Sequence, residues 1–113
     1  MKTPKELQAE LISLFPSFEE GCDAVDPEYD IGYESPLTYH RIWMDFAPFA
    51  SKHLTNVGER DLIEFCAIVN AEIEAGSDRK NAVSTCLLEH ASQVSVKKLI
   101  SPLLSAAAKK ELR

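Results

Sequence analysis

From Glu6 to His40 the chain contains no lysine and no arginine. Nothing in that stretch balances the nine carboxylates it holds, Glu6, Glu10, Glu19, Glu20, Asp23, Asp26, Glu28, Asp30 and Glu34. The formal charge of -6 is therefore a local property, because the remaining residues net +3. Uncompensated like charge weakens the compact state and strengthens long-range attraction to a cationic partner. Long apolar runs are missing too. No segment approaches the roughly 20 apolar residues of a membrane span, and the opening MKTPKELQAELISLF lacks a signal peptide's apolar run and small-residue cleavage site. Glycine is scarce, four residues in 113, and none falls in a GxGxxG or P-loop pattern that would cradle phosphate. There is no CxxC, HExxH or GxSxG, so zinc and hydrolase chemistry have no signature. The three cysteines, Cys22, Cys66 and Cys86, cannot all pair within one chain. Without an export signal, reduced thiols in the cytoplasm are the expectation. No cofactor is implied.

What is present is an ordinary globular composition, 45% hydrophobic and 27% charged. At 113 residues the expectation is one domain spanning 1–113, with a core that needs neither disulfide nor metal. Even the acidic stretch carries Phe15, Phe18, Val25, Tyr29, Ile31 and Tyr33, which argues against disorder.

The periodicity is helical throughout. Thr3, Pro4 and Glu6 form a capping box with proline in the first turn, followed by Leu7, Leu11, Leu14 and Phe15 at helical spacing; Pro16 ends the run. A short turn at Phe18–Glu20 is stopped by Gly21, and the residues up to Ser35 read as an acidic loop punctuated by Pro27 and Gly32. Loops of about a dozen residues or more are uncommon unless they serve binding or are disordered, and the interleaved tyrosines favour binding. Ser35-Pro36 restarts helix. Tyr39, Ile42, Trp43, Phe46 and Phe49 then supply a large aromatic mass, with a break or kink expected near Ala47 because of Pro48. Leu62, Ile63, Phe65, Cys66, Val69 and Ile73 make the clearest amphipathic helix, stopped by Gly76. Asp78 is expected to cap the next helix, whose stripe is Ala82, Val83, Cys86, Leu87 and His90. Ser95 opens a last helical region divided at Ser101-Pro102. The fold class expected is all-α, a single-domain orthogonal bundle of five to seven short helices.

Each residue cluster with chemical potential has a plainer reading beside it. Asp26, Glu28 and Asp30 match the first ligand positions of a calcium loop, but Ile31 replaces the required glycine and Leu37 the bidentate glutamate. The acidic stretch then reads either as solvated surface or as a decoy that fills a cationic groove built for phosphates. In the second reading tyrosines serve as anchors and the acids raise the association rate. Cys86 and His90 lie four apart on one helical face, the layout of a nucleophile pair. They continue an apolar stripe, so a buried thiol and a packed histidine are expected, with Glu89 opposing thiolate formation. His40, His53 and His90 reach a zinc site only by long-range convergence. Trp43 reads as core. Lys109, Lys110 and Arg113 complement a helix C-terminus without any ligand. Direct nucleic-acid and membrane binding are disfavoured by the net negative charge.

In these respects (short, acidic, helical, without catalytic motifs) the chain resembles small bacterial immunity proteins, the cytoplasmic partners that neutralise toxins of contact-dependent growth inhibition systems. The segment Asn81-Ala82-Val83-Ser84-Thr85-Cys86-Leu87-Leu88-Glu89-His90 also resembles a helix of a helical family found beside toxin genes. The resemblance implies a non-enzymatic protein that binds one cognate toxin domain and blocks its active site. Such toxins are commonly nucleases with basic clefts, which meets the independent charge argument. The expected partner-binding residues are Glu19, Glu20, Asp23, Asp26, Glu28, Tyr29, Asp30, Tyr33, Glu34 and Tyr39, with no catalytic and no metal-ligating residue. The alternative is a helical adaptor that uses a dimer or partner surface around Trp43 and Phe46.

Overall fold

The capping box at the start of the chain forms as its residues dictate. Thr3 Oγ1 accepts from the Glu6 amide at 3.2 Å, and Glu6 Oε1 accepts from the Thr3 amide at 3.1 Å, opening α1 (Pro4–Leu14). Leu7 and Leu11 turn inward, and Phe15 closes the helix ahead of Pro16. The computed structural model describes residues 2–22, 38–91 and 96–113. After α1 come α2 (Phe18–Cys22), α3 (Tyr39–His53), α4 (Glu59–Ala75), α5 (Ser77–Cys86), α6 (Lys97–Ile100) and α7 (Ala106–Glu111). Single 3-10 turns occupy Leu54–Asn56, Leu88–His90 and Ser101–Leu103. There is no strand among the described residues, and the chain is an all-α bundle.

Several local expectations shift. α2 runs through Gly21 instead of stopping there. α3 begins at Tyr39, where Thr38 Oγ1 accepts from the Arg41 amide at 3.1 Å; Ser35 and Pro36 lie outside the described residues, as does Ser95. Pro48 does not break α3, which is continuous through it. The proline withholds a donor from the Met44 carbonyl, but Met44 and Pro48 are exposed and water can serve that oxygen. Meanwhile Ile42, Trp43 and Phe46 before it and Ala50 after it are wholly buried and hold both halves in one line. Asp78 is not the cap of α5. The cap position belongs to Gly76, and Asp78 sits in the first turn, where its charge complements the helix dipole.

The core is aromatic at one end. Phe18 meets Phe46 edge-on at 4.9 Å between ring centroids, Phe46 stacks on Phe65 at 5.2 Å, and Trp43 meets Phe46 edge-on at 5.8 Å. α3 packs on α1, α2 and α5, and α4 packs on α1, α5 and α7. The C-terminal segment is tied down by polar clamps. Asn70 of α4 accepts from the Ser105 amide at 2.9 Å, Ser84 of α5 donates to Glu111 at 2.8 Å, and the Arg113 amide donates to the Leu88 carbonyl at 2.9 Å.

Candidate partner-binding surface

Of the ten residues expected to bind a partner, Glu19, Glu20 and Tyr39 fall within the described residues. Asp23, Asp26, Glu28, Tyr29, Asp30, Tyr33 and Glu34 lie outside them. Glu19 and Glu20 are exposed on α2, whose own anchor is Phe18, fully buried against Phe46 and Phe49. Tyr39 is half-buried at the first turn of α3, and its hydroxyl donates to the Lys2 carbonyl. That hydroxyl is already used inside the molecule, so Tyr39 acts first as a fastener between α3 and the start of α1.

Lys2 is itself held, with its ammonium 2.6 Å from Glu10. A second polar group lies nearby: Arg79 of α5 donates through Nε at 3.0 Å, and also through a terminal nitrogen, to Glu72 Oε2 of α4. This hydrogen bonding, with the fields of Glu72, Tyr39 and Glu10, raises the Arg79 pKa against the opposing effect of burial. Glu72 is wholly buried, and sequence reasoning missed it. The signal was present, because Glu72 stands three residues after Val69 and seven after Phe65, on the buried stripe of α4.

The helical body is close to electroneutral. Its described residues carry thirteen aspartates and glutamates against twelve lysines and arginines, so residues 23–37, with five carboxylates and no cation, hold nearly all of the net charge. Among the described acids, Glu10, Glu64, Glu72 and Glu111 lie in ion pairs. A groove of about 440 Å³ between α1 and α4 has Glu10 and Glu64 on its rim, yet Glu10 is engaged by Lys2 and Glu64 lies 3.7 Å from exposed Arg60.

The other expected sites are corrected or bounded. Trp43 and Phe46 are 0% exposed, so neither can touch a partner. A contact surface on this helix must use its outer side, at Met44 and Pro48. Cys86 is only half-buried and His90 is exposed, unlike the packed pair the stripe suggested. α5 ends at Cys86, and the 3-10 turn Leu88–His90 rotates the face. Burial and Glu89 both raise the Cys86 pKa, the reverse of what an activated thiolate needs. Among the described residues no three of His, Cys, Asp or Glu gather in a way that could hold a metal ion, and no helix is long and apolar enough to cross a membrane. Comparison with protein-family models, with curated proteins and with solved structures finds no match to this chain.

Proposed function

We propose that this chain is a binding protein that neutralises a cationic protein domain, acting as a cytoplasmic immunity protein toward a toxin nuclease with a basic cleft. The observation that carries this reading is the charge partition. A near-neutral helical body bears residues 23–37, whose five carboxylates have no cation among them. The fastening of the neighbouring residues supports it: Phe18 fixes α2 in the core on one side, and Tyr39 is bound to Lys2, just ahead of α1, on the other. In this reading Asp23, Asp26, Glu28, Asp30 and Glu34, with Glu19 and Glu20, meet lysines and arginines of the cleft. Tyr29 and Tyr33 add contact area at low entropic cost.

The test is a variant with Asp23, Asp26 and Asp30 changed to Asn and Glu28 and Glu34 changed to Gln. It is measured against the nuclease domain of a secreted protein encoded beside the gene. Far-ultraviolet circular dichroism checks that the variant keeps the helical fold before binding is read. A desolvated, paired carboxylate contributes about 2–5 kcal/mol to binding, and a rim one much less. Binding should therefore weaken, with the association rate falling and the salt dependence flattening. Full inhibition of the nuclease by the neutralised variant would remove the proposal.

A further inference from the structure

Between α3 and α5 lies a groove of about 600 Å³, the size range of sites that take a peptide or small molecule. Met44 and Pro48 form its α3 wall, Thr85 and Cys86 its α5 wall, and Lys52 and His90 also line it. Met44 is 64% exposed, and only Ile63 joins it as a large hydrophobic left in solvent among the described residues. What distinguishes Met44 is its place beside a concavity, where a flexible thioether adapts well to a partner's shape.

The groove also has a sign. Among the described residues Lys52 is the only one with a full charge that lines it, and no carboxylate does. Glu89 acts on Cys86 from nearby and Asp45 lies half-buried on α3, but neither belongs to the lining. In a molecule of net charge -6 this concave, apolar place faces an occupant with a cation.

We propose that the α3–α5 groove docks an apolar segment of a protein partner that carries a carboxylate. Its apolar side chains cover Met44, Pro48 and Cys86, and the carboxylate pairs with Lys52. The partner chemistry is opposite in sign to that sought by residues 23–37, so this inference does not depend on the function proposed above.

The test uses the full chain and two labelled synthetic peptides with the same Leu pattern at i, i+3, i+4 and i+7. One carries Glu and the other Lys at the flanking positions, and binding is read by fluorescence anisotropy. The acidic peptide should bind at least tenfold more tightly than the basic one and should slow alkylation of Cys86. Met44→Glu and Lys52→Glu should each weaken it at least tenfold, while Lys5→Glu, on α1 and outside the groove, should change it less than twofold. Met44, Lys52 and Lys5 are exposed, so unchanged circular dichroism is expected for all three variants. Equal binding of the two peptides, equal losses in Lys52→Glu and Lys5→Glu, or no binding of either peptide would overturn the proposal.

Discussion

Replacing Arg79 by methionine tests the polar interior of this bundle directly. Glu72 is 0% exposed, and both Arg79 donors go to its Oε2; its Oε1 has no hydrogen-bond partner among the described residues. Removing the guanidinium strands a charge that water cannot reach. Breaking a buried pair from one side costs about 3–5 kcal/mol, against a total stability on the order of 5–15 kcal/mol for a domain of this kind. The melting temperature should fall by roughly 10–20 °C, at several degrees per kcal/mol for a chain of this length. The double variant Glu72→Leu with Arg79→Met should behave oppositely. It removes both desolvation costs and the unpaired oxygen, so its stability should return to the parent's or exceed it by about 1–4 kcal/mol. Urea unfolding followed by far-ultraviolet circular dichroism measures all four corners of the cycle. If Arg79→Met costs less than about 1 kcal/mol, or the double variant is no more stable than the single, then the pair does not have the energetics that its burial implies.

Two further outcomes follow from single positions. Gly76 joins α4 to α5 with φ 70° and ψ -166°, a region essentially reserved for glycine, and a methyl group there would touch nothing within 4 Å. Gly76→Ala should therefore cost about 1–3 kcal/mol through backbone strain alone, measured by the same unfolding assay; no loss would mean the joint relaxes freely. Burial pushes the Cys66 thiol up to about 11 from 9.0, so the folded state holds its proton where the unfolded chain releases it. Stability should fall as pH rises from 9 to 11, and more steeply than in Cys66→Ala, by up to about 2–3 kcal/mol. Parallel pH profiles of the two proteins would show that the Cys66 thiol makes no such contribution.

Much of the bundle is legible where a rule is local. Thr3, Pro4 and Glu6 specify a helix start within four residues, and Pro16 and Gly76 mark stops that backbone sterics enforce. Pro48 misleads because its penalty is local while the forces that override it, burial of Trp43, Phe46 and Ala50, come from other helices. Glu72 misleads for the reverse reason. Read as a polar residue it belongs outside, and only the arrival of Arg79 from across the α4–α5 joint allows it inside. The charge segregation is plain in the sequence, as is the presence of Tyr39 beside it. That the Tyr39 hydroxyl is bound to Lys2 is not, because the pairing spans 37 positions and leaves no periodic trace. The α3–α5 groove was equally invisible, since Met44 reads as one more apolar residue until its neighbours turn out to face the other way.

The one-residue joint at Gly76 and the Glu72–Arg79 bond across it also bear on motion. A helix pair locked at its corner by covalent economy and a buried ionic contact separates only when both give way, so amide protons of α4 and α5 should share one slow exchange class. α2 is only five residues long, but its fully buried Phe18 ring meets Phe46 and Phe49 of α3, so its protection should follow that of α3 and not its own length. Exchange of the α2 amides therefore reports how firmly the chain is gripped where it enters its most highly charged stretch.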